Sequence, residues 1–258
     1  MLISPTSLPF FRRPGFTLME LIVVVAVIVV LAAIGFTVAQ NAREEAELVQ
    51  ATQKMKNIGE AFVAYTADSG GILPLEDAVG LDDWETARKP ENAEVWYNVL
   101  PLSLGFPAVA DLADKPEEFY DESYPLSLRG VRYPKGAKKF RRPYFAFAIN
   151  SRLQRRDENG NKEPGTLAAI VDHGRTVAFL ERGLPSDRKV SRAQRGFTGG
   201  AKANPRAFAA RHNKKGVLIF IDGHAEVRGV YELIERNGRI IYPQQRVIWT
   251  PDPEEDPN

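Results

Sequence analysis

The chain of 258 residues contains no cysteine, which excludes disulfide bonds and thiolate metal sites. It has no excess of either charge, because 34 basic residues face 33 acidic residues for a net charge of +1. The overall charge therefore favours no nucleic-acid partner. No nucleophile motif, phosphate-binding loop or dinucleotide fingerprint occurs, so we expect neither an enzyme nor a bound cofactor.

Charge is also missing from one continuous stretch, residues 21–39, in which only Thr37 is appreciably polar. As a helix these residues span about 28 Å, close to the thickness of a bilayer's hydrocarbon core. Arg12 and Arg13 precede the stretch, and the positive-inside rule keeps them in the cytoplasm. The sequence thus predicts one membrane-spanning helix, residues 16–40, followed by an exported C-terminal part.

Three other interpretations of this stretch compete. A cleavable secretory signal has a shorter apolar core of about 7–15 residues. A buried core helix is rarely apolar on all faces over such a length. A plain signal anchor fits the length and the flanking charge, but it has no use for Glu20, which lies at the start of the apolar stretch. A carboxylate at the edge of hydrocarbon is costly and usually functional.

The segment Arg12-Arg-Pro-Gly-Phe-Thr-Leu-Met-Glu20 resembles the processing site of type IV prepilins and pseudopilins. The resemblance implies a leader peptide, residues 1–15, removed between Gly15 and Phe16, and N-methylation of Phe16. It further implies that the Glu20 carboxylate neutralises the Phe16 amine of a neighbouring copy in a filament. Pro14 departs from the family, which more often has a basic residue directly before the glycine.

The same resemblance implies a structural function, as a pseudopilin subunit of a type II secretion-like or type IV pilus-like filament. Its partners are then other copies of the chain, minor pilins, a prepilin peptidase that also methylates, and an assembly platform in the bacterial inner membrane. The protein is expected first as a single-pass inner-membrane protein and then in a filament of the cell envelope. A signal-anchored binding or adhesion module and a metal-dependent envelope enzyme are the alternatives.

The helix is predicted to continue beyond the membrane. Residues 41–70 carry an apolar stripe at spacings of three and four, which indicates an amphipathic helix packed on a domain. The stripe consists of Leu48, Thr52, Met55, Ile58, Phe62 and Tyr65. Asp68-Ser-Gly-Gly71 ends the helix, which therefore runs from Phe16 to Asp68.

Residues 71–250 are predicted to form an exported globular domain. Residues 72–130 look irregular, and the acid pairs Glu76-Asp77 and Asp82-Asp83 are interpreted as solvated loop charges. Apolar runs predict strands at residues 144–149 and a hairpin of residues 217–221 and 224–227. Residues 167–171 and 176–180 are two further apolar runs, and Asp172-His-Gly-Arg175 between them predicts a hairpin or a tight connection. Residues 251–258 are acidic and proline-rich and predict a disordered tail. The predicted fold class is α+β, with a long N-terminal helix on a small antiparallel sheet that has extended loops.

His212 stands nine residues before Asp222-Gly223, and this spacing resembles the branch of prepilin-type proteins named for an H-X9-DG motif. The missing cysteine and the missing Asn-Leu pair on the long helix depart from that branch. His212, Asp222 and His224 are also candidate metal ligands, since two histidines and a carboxylate can bind zinc. Asp172, Glu181 and Asp222 are calcium candidates without EF-hand spacing. We favour a turn role for Asp222 and a surface role for His224, with no metal bound.

Overall fold

The structure, a computed structural model, describes residues 17–77, 79–136, 141–185, 187, 191–192 and 198–258. Helix α1, Leu18–Asp68, dominates the N-terminal part and crosses a boundary between two compact units, Met1–Arg43 and Glu44–Asn258. Its length and composition suffice for a membrane span. In the first unit every described residue of α1 is exposed, including large side chains such as Ile28, Leu31 and Phe36.

Within the second unit, α1 buries one face. The buried positions follow the predicted stripe at spacings of three and four, because 3.6 residues per turn return a side chain to the same face. They are Ala51, Met55, Ile58, Gly59, Ala61, Phe62 and Thr66. The Phe62 ring meets the Phe179 ring edge-on at 5.6 Å between centroids. The helix ends at Asp68, as predicted, and Gly70 and Gly71 follow with positive φ.

Five strands form the main sheet in the order β6-β1-β4-β8-β9. They are β1 (Phe147–Asn150), β4 (Val177–Glu181), β6 (Lys202–Ala203), β8 (Lys215–Phe220) and β9 (Ala225–Gly229). All neighbours are antiparallel except β1 and β6, which are parallel. Two short ribbons accompany the sheet, β2 (Arg155–Arg156) with β3 (Lys162–Glu163), and β5 (Ser191–Arg192) with β7 (Ala209–Ala210). The fold is α+β, as predicted.

The segment between α1 and the sheet contains more helix than the sequence indicates. Three short helices occur, α2 (Trp84–Ala87), α3 (Trp96–Ser103) and α4 (Pro116–Phe119), together with 3-10 turns at Pro90–Asn92 and Val109–Leu112. The segment is fastened to α1 by Lys54, whose ammonium donates to the carbonyls of Glu122, Tyr124 and Ser127 at 2.5, 2.9 and 2.6 Å. Burial lowers the pKa of Lys54, and the three carbonyl dipoles replace the water that the ammonium loses.

The predicted Asp-Gly hairpin is present, and it sets how closely the sheet approaches α1. Gly223 occupies the turn between β8 and β9 with φ +87°, which favours glycine. Opposite it lies Gly59 of α1. A Cβ on Gly59 would stand 2.8 Å from the Gly223 carbonyl oxygen and 2.7 Å from Ile219 Cγ2. Two glycines therefore let the helix and the turn pack backbone to backbone.

Two predicted features of the domain are wrong. The hairpin of residues 167–171 and 176–180 is absent, because Leu167–Ala169 is a 3-10 turn and β4 pairs with β1 and β8. The alternative, a tight connection, is present, since the Thr176 N–H donates to the Asp172 carbonyl at 3.0 Å. The tail is not disordered but tied to the domain. Gln244 Nε2 donates to the Glu255 carbonyl at 2.9 Å, Arg152 donates to the Pro257 carbonyl at 2.7 Å, and the Asn258 amide accepts from the Ile240 N–H at 2.7 Å. Each of these contacts joins a side chain to a backbone group, and Pro257 is itself buried.

Gly59→Ala tests the close approach of the helix and the turn. The added methyl group meets a backbone oxygen that cannot rotate away, so the free energy of unfolding should fall by about 1–3 kcal/mol. Denaturation of the full chain in detergent, followed by fluorescence of the three tryptophans, measures the change.

Gly35→Ala is the matched control, since a Cβ on Gly35 has nothing within 4 Å. Its domain stability should equal that of the wild type. Equal stability of Gly59→Ala and Gly35→Ala would contradict the packing described here.

Candidate functional site

The predicted assembly residue Glu20 lies in the first turn of α1. Thr17 is the N-cap residue, and the two side chains form a capping box. The Thr17 N–H and Oγ1–H both donate to Glu20 Oε2 at 2.9 Å, and the Glu20 N–H donates to Thr17 Oγ1 at 3.2 Å. The Thr-x-x-Glu spacing that creates this box is present in the sequence, but its capping role escaped sequence reasoning. Gly15 and Phe16 lie outside the described residues.

The capping box gives Glu20 a local role beside any role in assembly. Its carboxylate is exposed and held by neutral donors at the positive end of the helix dipole. An N-cap contributes about 0.5–2 kcal/mol to helix stability. Breaking a buried charge pair costs about 3–5 kcal/mol. A neighbouring cation in a dry environment can therefore outcompete the cap for this carboxylate.

His212, the first residue of the H-X9-DG spacing, is buried and faces Glu181 of β4. Its Nε2 lies 3.2 Å from Glu181 Oε1, and both residues are at most 3% exposed. Asn213 and Lys214 adopt positive φ in a two-residue turn, closed by two hydrogen bonds of 2.9 Å between the backbones of His212 and Lys215. The histidine thus packs the entry to β8 against the neighbouring strand.

Glu181 is the centre of a buried ionic cluster, formed by Glu181, Arg211, His212 and Asp187. Its second oxygen, Oε2, accepts from the Val217 N–H at 2.9 Å. The Arg211 guanidinium lies 3.4 Å from Glu181 Oε1 and 3.1 Å from Asp187 Oδ2. Glu181 ends the apolar strand β4, and a buried charge requires partners of opposite charge or hydrogen-bond donors. This position in the sequence is the signal that could have identified the cluster.

Asp222, the second residue of the spacing, serves the hairpin turn. Its Oδ1 accepts from the His224 N–H at 3.1 Å and lies 2.6 Å from His224 Nδ1. The His224 ring also stacks on the Phe220 ring at 4.4 Å. The side chains of His224 and Asp222 are 40% and 44% exposed. These contacts agree with the turn and surface roles favoured for Asp222 and His224.

The structure brings two of the three zinc candidates together, Asp222 and His224, but not the third, His212. His212 precedes β8 and Asp222 follows it, so six residues of extended strand, roughly 20 Å, separate them. Of the calcium candidates, Glu181 belongs to the buried cluster, and Asp172 is held by Arg175 Nε at 2.7 Å. Among the residues that the structure describes, no group of three or more potential ligands could hold a metal ion.

The acid pair Glu76-Asp77 is not solvated, which corrects the prediction from the sequence. Both residues are buried and face two lysines that approach from the two sides. Lys202 Nζ lies 3.6 Å from Glu76 Oε1 and 3.4 Å from Asp77 Oδ2, and Lys162 Nζ lies 3.8 and 3.5 Å from the same atoms. This four-residue ion cluster ties the chain after α1 to β3 and β6.

Burial raises the pKa of Glu76, and the nearby lysines only partly oppose this effect. The folded state therefore binds a proton at higher pH than the unfolded state does. Wild-type stability, relative to Glu76→Gln, should rise as the pH falls from 7 towards the ordinary glutamate pKa of about 4.3. Thermal unfolding of both proteins across this range measures the difference, and a wild-type advantage that shrinks on acidification would contradict it.

Glu181→Gln tests the buried cluster. The substitution keeps the shape but removes one of the two carboxylates that face the buried Arg211, while Asp187 remains, so the free energy of unfolding should fall by about 1–3 kcal/mol. Asp222→Asn is the control, because its exposed turn should tolerate the change with little loss. Chemical denaturation compares the two, and equal small losses would show that the cluster is not required for stability.

A family model described as the prokaryotic N-terminal methylation motif matches residues 11–36. The match includes the Gly15-Phe16 junction, Glu20 and most of the exposed apolar half of α1. It supports a type IV pilin-like protein, and together with the apolar helix it indicates a membrane-anchored one. Neither a curated protein nor a solved structure shows significant similarity to the chain.

Proposed function

We propose that this protein is a pseudopilin subunit, cleaved between Gly15 and Phe16, that assembles through its apolar helix into a filament of a type II secretion-like or type IV pilus-like machine. The observation that carries the proposal is the methylation motif at residues 11–36, with Glu20 at the start of an exposed apolar helix. The role is structural and not catalytic.

The chemistry of the N-terminus supports this function. Cleavage after Gly15 releases the amine of Phe16. This amine lies just before the apolar stretch, at the boundary between water and hydrocarbon. In a filament, apolar helices cover one another, and both the amine and the Glu20 carboxylate lose water. An unpaired charge there is strongly unfavourable, so pairing between copies selects one register.

The proposed function also implies a location in the cell and a set of partners. The precursor spans the inner membrane once with its globular domain exported, and a prepilin peptidase cleaves and methylates it. Minor pilins and the inner-membrane assembly platform then start and extend the filament. We propose further that the domain belongs to the H-X9-DG branch, which the spacing of His212 and Asp222-Gly223 supports. In this chain the histidine contacts Glu181 at the entry to β8, and the Asp-Gly turn packs on Gly59.

Two substitutions separate the charge of Glu20 from its capping role. Glu20→Gln retains a capping box, because glutamine serves at this position as glutamate does. It cannot neutralise an amine. Thr17→Val removes the cap hydroxyl but keeps the carboxylate. We expect Glu20→Gln to abolish filament assembly and Thr17→Val to retain it, with both precursors still cleaved.

Sheared filaments and the intact mass of the cell-bound protein measure assembly and cleavage in the native host. Assembly by Glu20→Gln at the wild-type level would reduce Glu20 to a helix cap. Loss of assembly in Thr17→Val alone would lead to the same conclusion.

A further inference from the structure

A cleft with an apolar floor and an acidic rim opens beside α4. It measures about 380 Å³ and is lined by Phe106, Pro107, Leu112, Glu117, Glu118, Asp121, Ser123 and Tyr124. Leu112 and Tyr124 form the buried floor, and the Phe106 ring meets Tyr124 edge-on at 6.1 Å. Glu117, Glu118 and Asp121 are exposed. Such a cleft accepts a segment that is basic and carries apolar groups.

Hydrogen bonds fix the backbone around the cleft. Lys54 of α1 binds the carbonyls of Glu122, Tyr124 and Ser127, and the Tyr124 hydroxyl donates to the Pro107 carbonyl at 2.9 Å. Asp121 accepts from the N–H and the hydroxyl of Ser123 at 2.8 and 2.6 Å. A preformed surface loses little conformational entropy when a partner binds.

The near-zero net charge conceals a strong segregation of charge along the chain. From Asp82 to Glu122 there are eleven acidic and three basic residues, whereas from Arg129 to Arg142 there are seven basic residues and none that is acidic. Val131 and Tyr133 of this segment pack against the core of their own copy, so the segment presents the long side chains of Arg132 and Lys135, whose aliphatic stems can cover an apolar floor. Each copy of the chain thus carries one acidic segment and one basic segment that are complementary in charge.

One contact already joins the two segments within a copy, since Arg129 Nε lies 3.7 Å from Glu122 Oε1. The next basic residues, Arg132 and Lys135, are exposed, and within the part of the chain that the structure describes neither makes an ion pair. Neither residue lines the cleft of its own copy. Their charge remains available to another molecule.

We propose that the acidic cleft of one copy receives the basic loop around Arg132 and Lys135 of a second copy. In a filament each copy offers its cleft to one neighbour and its loop to another, so the contact is head to tail and extends as an open chain of copies. This inference rests on the proposed filament function and names the contact between its globular domains. Complementary charges orient the copies, and the tether of each helix in the membrane raises their effective concentration.

Charge reversal with restoration tests the contact in the full-length protein. Glu117→Lys with Glu118→Lys reverses the cleft, and Arg132→Glu with Lys135→Glu reverses the loop. Each double variant should lower the assembled fraction at least tenfold. The chain that carries all four substitutions should recover it, because its cleft and loop are again complementary. Arg155→Glu with Arg156→Glu is the control for the loop variant, since it makes the same change in net charge on the exposed strand β2 and should assemble normally.

Engineered thiols give a readout that does not require filaments. The chain has no cysteine, so a copy with Glu118→Cys and a differently tagged copy with Lys135→Cys report one contact. Oxidation in the membrane should yield disulfide-linked dimers with both tags, at least tenfold more than the control pair Glu118→Cys with Arg155→Cys. Formation should decrease at high salt.

The outcomes separate the two proposals. Equal yields from the test and control pairs, or no recovery by the fourfold variant while the wild type assembles, overturn the cleft contact and leave the filament function intact. A wild type that never assembles, but whose test pair forms dimers, supports the contact and contradicts the filament function.

Discussion

A helix that is apolar on every face must be covered by hydrocarbon or by other helices, and the proposed function depends on that constraint. Every described residue of α1 up to Ala46 is exposed in the isolated chain. Covering a single leucine or isoleucine side chain is worth about 1.5–3 kcal/mol, so this surface cannot remain in water. This apolar surface requires an apolar environment, but it does not fix how neighbouring helices align along their length, because one apolar helix slides along another at little cost. Glu20 is the polar group at the boundary that can supply the register.

The second unit is organised around charges that are buried with their partners. Glu181 connects β4 to β8 through Val217, and to the turn before β8 through His212. Glu76 and Asp77 connect the end of α1 to β3 and β6 through two lysines. In a list of residue types these groups resemble catalytic acids or metal ligands. Their geometry assigns them to packing, since each carboxylate faces a cation or a backbone N–H in a closed space.

Local patterns predicted what local physics determines. The apolar run, the stripe from Leu48 to Tyr65 and the glycines after Asp68 define α1, and the Asp222-Gly223 turn defines the hairpin of β8 and β9. The errors lie where distant partners decide. Residues 167–171 are an apolar run close to residues 176–180, which suggested that the two pair. In the sheet, β1 and β8 pair with the two edges of β4 and leave no edge for residues 167–171. The burial of Glu76 depends on Lys162 and Lys202, more than 80 residues away in the chain. The Thr17–Glu20 cap could have been predicted from its spacing.

In the proposed function, the chain becomes a filament subunit only after its N-terminus is released at Phe16. The first measurement is therefore the intact mass and N-terminal sequence of the protein expressed in its own host. We expect a chain that begins at Phe16 and carries one added methyl group. A protein that retains residues 1–15, in cells whose peptidase processes other prepilins, would contradict it and would leave a signal-anchored domain in its place.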